Sequence, residues 1–306
     1  MGKEARPHVP FTTELGIQVA DRITRNILTV TDIKTTVGRQ LLLKGLNSRL
    51  IFPTEVISHN DAIEEARALR HDGYGIIVNY NHYSYRDPID VMSTLLSLGE
   101  GFSDAQYLSP LAMHQTGPHL SLMSSITDIP LSVIVTEDTV TKGKNIIKPT
   151  YLDKTKAIFD RSRDIQPRVV AESHGLREYI DQGAQVLADG GIVFVAPQGG
   201  RRNQLGEPAG RANDFLITSA KRKGAEKIAI WIMGMTLDGQ KIYDSRTAKY
   251  NVGKKAKVEF GIPVTIDEMR NLAKENTPEG EKVSIDQQIF REFRQLLPES
   301  YTGINT

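Results

Sequence analysis

From Asp61 onward the chain alternates helix-like and strand-like segments, and this alternation is the feature that most constrains its fold. Parallel strands need a long return path, which a helix fills, so the pattern marks an α/β sheet with crossover helices. The clearest strand is Ile192-Val193-Phe194-Val195-Ala196, a continuous apolar run entered through Gly190-Gly191 and suited to burial on both faces. Gly75-Ile76-Ile77-Val78-Asn79-Tyr80 reads the same way. Helices are expected over Ala62 to His71, ending near Gly73, and over Pro88 to Leu98, Ser173 to Ala188 and Ile285 to Leu297. Further strands are expected over Leu131 to Val135, Lys227 to Met233 and Lys257 to Ile266. The expected fold class is α/β, with a mixed, largely parallel sheet flanked by helices.

Ahead of this part, apolar residues recur at helical spacing: Leu15, Val19, Ile23 and Ile27, then Ile33, Val37 and Leu41. This predicts a small N-terminal helical region over residues 1–58, followed by an α/β domain over 59–306. The basic, apolar stretch from Arg39 to Arg49 fits packing onto the body of the protein, with a bilayer interface as the alternative.

Composition narrows the chemistry. Of 306 residues, 39% are hydrophobic, enough for a sizeable core. Lys plus Arg number 38 against 37 for Asp plus Glu, so no global charge favours nucleic acid, and any anion site must be local. The absence of cysteine removes disulfides, thiolate catalysis and Cys-ligated zinc. The longest apolar stretches, Gly191 to Pro197 and Ile228 to Met235, fall far short of the ~20 residues that span a bilayer. The first residues mix charges without an apolar run, which argues against a secretory signal, and Arg6 fits poorly with myristoylation at Gly2. Membrane contact is therefore expected from the surface, in a protein that is soluble or peripheral.

His82 follows the strand ending at Tyr80, at the carboxyl edge where open α/β sheets place their ligands. Asp87 stands at the start of the next helix, with Pro88 in the first turn, where a missing amide hydrogen costs nothing. A histidine so placed can take a proton from an attacking hydroxyl, and a carboxylate beside it can fix the tautomer and stabilise the imidazolium. On spacing alone, the other reading is that Asp87 is an N-cap, contributing ~1 kcal/mol, and His82 a solvent-facing loop residue. Further on, Pro197-Gln198-Gly199-Gly200-Arg201-Arg202 follows a strand directly. Backbone amides of a glycine-rich turn can approach an anion closely, and Arg201 can grip phosphate oxygens in a fork. A surface turn with solvated arginines is the alternative. No Gly-Lys-Ser/Thr follows, which disfavours a nucleotide phosphate loop.

The string Asn81-His82-Tyr83-Ser84-Tyr85-Arg86-Asp87-Pro88 resembles the N-H-x-S-x-x-D-P block of the glycerolipid acyltransferase family, which includes glycerol-3-phosphate and lysophosphatidic acid acyltransferases. The segment Val195 to Arg202 is similar to the P-S-G-G-R variant of the family's second block, as found in soluble plastid-type glycerol-3-phosphate enzymes. Phe260-Gly261-Ile262-Pro263-Val264 resembles the late F-G-x-P-I strand, and Ile158-Phe159-Asp160-Arg161 the I-F-x-D-R block. The sequence departs from the pattern at Gln198, where the common block has glutamate, and at Asn203, where the plastid-type pattern has a second arginine.

The resemblance, covering about residues 60 to 266, implies transfer of a fatty-acyl group from a thioester to the hydroxyl of glycerol-3-phosphate. It makes His82 the general base and Asp87 its partner. Ser84, Gly199, Gly200, Arg201 and Arg202 would bind substrate, helped by Arg161 or Arg163. Backbone amides of the Gly199-Gly200 turn, or of the helix start, would stabilise the oxyanion. No metal or bound cofactor is implied; coenzyme A or acyl carrier protein brings the acyl chain. Lys142, Lys144 and Lys148 form a basic cluster that suits an acidic carrier protein, and equally a solvated loop. A lysophospholipid is the alternative acceptor. From another class, the rival is a non-catalytic lipid-surface protein, which would have no need of a base.

Overall fold

The computed structural model describes residues 54–59, 61–82, 87–102, 105–112, 131–134, 146–147, 168–169, 174–198, 205–237 and 255–302. The expected N-terminal helices and the Lys142, Lys144 and Lys148 cluster lie outside the described residues. In chain order the elements are β1 (Thr54–Ser58), α1 (Ala62–His71), β2 (Gly75–Tyr80), α2 (Asp87–Ser97), β3 (Tyr107–Ala112), β4 (Leu131–Ile134), β5 (Ile146–Ile147), β6 (Arg168–Val169) and α3 (His174–Ala188). They continue with β7 (Ile192–Val195), α4 (Ala212–Arg222), β8 (Ile228–Leu237), β9 (Ala256–Phe260), β10 (Val264–Thr265), α5 (Ile266–Glu275), α6 (Ile285–Leu296) and α7 (Glu299–Thr302).

The main sheet has the order β1-β9-β8-β2-β7-β3-β4, with β10 also paired to β8. β8, β2, β7, β3 and β4 are mutually parallel, whereas β9 and β10 run antiparallel to β8. The sheet is thus mixed and mostly parallel, as the alternation of segments predicts. It begins earlier than residue 59, because Thr54–Ser58 pairs in parallel with β9. β5 and β6 form a separate antiparallel pair.

Alternation along the central strands builds two cores. Ile76, Val78 and Tyr80 of β2 join Phe194 and Trp231 on the face covered by α1 and α2. Ile77, Val193, Val195 and Ile230 face the opposite layer of α3, α4, α5 and α6. Both faces of β2 and β7 are buried, which is why these strands read as near-continuous apolar runs. Trp231 stacks between Phe102 and Phe260, with ring centroids 5.6 and 4.6 Å away, and its indole N–H donates to the Gly261 carbonyl at 2.8 Å. Burying an aromatic or aliphatic side chain of this size stabilises by roughly 1.5–3 kcal/mol.

Most expected boundaries hold within a residue or two. Gly73 and Gly190, both at positive φ, turn the chain after α1 and α3. The strand expected over Lys257 to Ile266 is instead broken. β9 ends at Phe260, the chain turns through Gly261-Ile262-Pro263, and β10 pairs back onto β8 at Ala229 and Ile230. Pro263 has no amide hydrogen for a ladder, and Thr265 then caps α5 through a reciprocal capping box with Glu268. The strand expected over Lys227 to Met233 runs on to Leu237.

Candidate active site

The connections out of β2 and β7 diverge. α2 carries the chain from β2 on one face of the sheet to β3, beyond β7; α4 carries it from β7 on the other face to β8, beyond β2. Neighbouring strands whose connections leave in opposite directions open a crevice at their carboxyl ends, the usual place for a ligand in such a sheet. His82 follows β2 at this point and Gln198 follows β7.

Local geometry fixes His82 from three sides. β8 extends past the end of β2, where Tyr80 is paired with Met233. The Asn81 side chain continues the ladder as an imitation peptide: its Nδ2 donates to the Met235 carbonyl at 2.9 Å, and the Met235 N–H donates to its Oδ1 at 2.6 Å. The His82 backbone N–H donates to Gln198 Oε1 at 2.6 Å, and Gln198 Nε2 donates to the Leu205 carbonyl at 3.1 Å. The imidazole Nδ1 lies 2.7 Å from Asp87 Oδ2, the carboxylate coming from the first residue of α2. The His82 side chain is 6% exposed and that of Asp87 is fully buried.

This arrangement selects a tautomer. With Asp87 ionised, Nδ1 carries the hydrogen and donates it, so the acceptor lone pair of the neutral ring sits at Nε2. A helix N-terminus favours negative charge at Asp87, and a charge-assisted bond of this kind is stronger than a neutral one. Tyr80 stands edge-on to the imidazole, with centroids 6.4 Å apart. Burial, and secondarily the charge of Asp87, push its hydroxyl well above the ordinary range, so it stays neutral beside the pair.

A second buried network supports β2 from the opposite face. Asn79 and Asn213 exchange amide hydrogen bonds at 3.1 and 3.0 Å. Asp286 of α6 accepts from Asn213 Nδ2 at 2.8 Å and from the backbone N–H groups of Asn213 and Asp214 at 3.2 and 3.3 Å. Arg211, the residue before α4, makes no side-chain cap, so Asp286 caps that helix from a neighbouring element. Burial raises the Asp286 carboxyl above its ordinary value; the bonds from Asn213 and Asp214 oppose this, and the charge of Asp214 adds to it.

Of the residues singled out from sequence, His82 and Asp87 are brought together. Ser84, Gly199, Gly200, Arg201, Arg202, Arg161 and Arg163 lie outside the described residues. The flanks of the glycine-arginine segment are nonetheless joined at the site, since Gln198 bonds both His82 and Leu205. Gln198 is the residue whose position in the site spacing could not give. Both bonds need an amide: a carboxylate at this position could accept from His82 but could not donate to the Leu205 carbonyl. Among the described residues, no three His, Asp or Glu side chains gather as a metal ligand set, and no helix is long and apolar enough to cross a membrane.

Fold and site together define an α/β protein with a buried histidine-carboxylate pair at its switch point. No protein-family model matches the chain, and no curated protein is similar enough to match it.

Proposed function

We propose that this protein is an O-acyltransferase that moves a fatty-acyl group from a thioester to the hydroxyl of glycerol-3-phosphate. The observation that carries the reading is the buried His82 Nδ1 to Asp87 Oδ2 bond, 2.7 Å long, at the carboxyl edge of the sheet. It supports a histidine held in one tautomer with Nε2 as base. The resemblance of the Asn81 to Pro88 block to glycerolipid acyltransferases supports the choice of reaction.

In this mechanism Nε2 takes the proton of the acceptor hydroxyl as its oxygen attacks the thioester carbonyl. Asp87 stabilises the imidazolium that forms. The tetrahedral intermediate collapses by breaking the carbon–sulfur bond, and the departing thiolate takes the proton from Nε2, leaving an ester and a free thiol. His82 needs no protein nucleophile beside it. Arg201 and Arg202, with Arg161 or Arg163, hold the acceptor phosphate, and amides of the Gly199-Gly200 turn stabilise the oxyanion. The donor is coenzyme A or acyl carrier protein, and the enzyme works in the cytoplasm or plastid stroma, in solution or against a membrane surface.

The test is palmitoyl transfer from each donor, in parallel, to glycerol-3-phosphate and to a 1-acylglycerol-3-phosphate. Acceptor-dependent thiol release with glycerol-3-phosphate supports the reading. Release only with the acylated acceptor reassigns the substrate, and release with neither overturns the enzyme.

A further inference from the structure

We propose that Gln198 is a positioning residue for the His82 base, joining the histidine backbone to Leu205 through a two-ended amide; this rests on the reading of His82 as general base. The parallel ladder of β2 with β7 runs from Ile76 and Ile192 to Asn79 and Val195, and stops short of His82. Pro197 follows, and its missing amide hydrogen prevents β7 from continuing as a regular ladder. Past that point the acceptor for the His82 N–H is a side-chain oxygen, Gln198 Oε1 at 2.6 Å. The other end of the same amide donates to the Leu205 carbonyl at 3.1 Å. Gln198 is 1% exposed and Leu205 is fully buried, so bulk water is not at hand to replace either bond.

Leu205 is itself an anchored point. Its N–H donates to the Tyr301 carbonyl at 3.0 Å, and the Ala209 N–H donates to the Pro197 carbonyl at 2.9 Å. Between these two bonds, Arg294 of α6 pairs with Glu207 at 3.1 Å. Gln198 therefore ties the histidine to a stretch of chain that β7, α6 and α7 hold in place. Asp87 fixes the ring of His82 and Gln198 fixes its backbone, and with both ends held Nε2 has one direction. The chemistry demanded of Gln198 is specific. A backbone N–H only donates and a carbonyl only accepts, so the group between them must accept at one end and donate at the other. A side chain placed there only to fill space would need the shape and not the donor.

Gln198→Glu keeps the shape and makes the donor titratable. Protonated, the new carboxyl accepts from His82 and donates to Leu205; ionised, it turns a lone pair on the Leu205 carbonyl. Burial beside that carbonyl raises its titration above the ordinary carboxylate range. The kcat of the variant, divided by that of the wild type at each pH to cancel the titration common to both, should fall about 10- to 100-fold as pH rises through this range. KM for the acceptor stays within about 2-fold. Gln198→Ala, which removes both bonds, shows the lowered kcat at every pH. A second readout needs no turnover: the far-downfield proton resonance of His82 Nδ1–H in the ligand-free protein, expected to shift or broaden in Gln198→Ala and, as pH rises, in Gln198→Glu. Wild-type kcat with an unmoved ring resonance in either variant across the pH range overturns the proposal. A loss confined to KM also overturns it, because that would place Gln198 on the acceptor. If the wild-type protein transfers no acyl group to any acceptor, the function reading fails by itself, and the ring resonance alone decides whether Gln198 positions His82.

Discussion

Asp87 and Asn81 hold His82 by different means, and their substitutions separate chemistry from scaffolding. Asp87→Asn keeps the shape but removes the charge that favours Nδ1–H and the imidazolium. It is expected to lower kcat by about 100-fold or more in a chain that still folds, as checked by steady-state kinetics beside a melting curve. Asn81→Ala instead leaves the buried N–H and carbonyl of Met235 without their amide partner. An unsatisfied buried group costs about 1–3 kcal/mol, so this variant should lose both stability in urea and activity. Loss of activity with unchanged stability would show that Asn81 matters to the substrate and not to the ladder.

At the scale of elements, α4 depends on a cap supplied by α6. Because burial raises the Asp286 carboxyl, the folded chain binds that proton more tightly than the unfolded chain does. The stability linked to the neutral group is complete below the ordinary carboxylate range and is lost as pH rises through the folded value. The urea-denaturation difference between wild type and Asp286→Asn should therefore be largest below the ordinary carboxylate range and shrink as pH rises above it. A difference that grows with pH would mean that the carboxylate form is the one the fold prefers. Gly75 opens β2 against the Leu187 backbone, where an added Cβ would collide with the carbonyl oxygen. Gly75→Ala should destabilise by roughly 1–3 kcal/mol, measured as a lower denaturation midpoint.

The same elements explain what could be read from sequence. β2 and β7 were legible because burial on both faces leaves an apolar run, and α2 because Asp87-Pro88 marks a helix start. α4 carries a weaker signal: its buried face uses Asn213 with Leu216, Ile217 and Ala220, so a polar residue interrupts the apolar stripe. α5 carries a usable signal in the Thr265 and Glu268 capping box, and Gly261 and Pro263 break the strand expected to run through Ile266.

For the whole molecule, what sequence could not supply was strand order. The pairing of His82 with Asp87 is local to one connection, so the motif contains it. The bond from His82 to Gln198 spans 116 residues, and its existence depends on β7 lying beside β2. The same is true of Tyr301, whose carbonyl accepts from the Leu205 N–H at 3.0 Å only after the chain has crossed the sheet and packed α5 and α6 on its far face. Hydrophobic periodicity identifies faces and leaves neighbours undetermined.

The central claim is that His82 is the base of an acyl transfer. Its most direct measurement is the initial rate of palmitoyl transfer to glycerol-3-phosphate by wild type and by His82→Ala, prepared and shown to be folded side by side. The account predicts transfer by the wild type and a fall of about 100- to 10,000-fold in the variant. Equal rates in the two proteins, or transfer by neither, would contradict it.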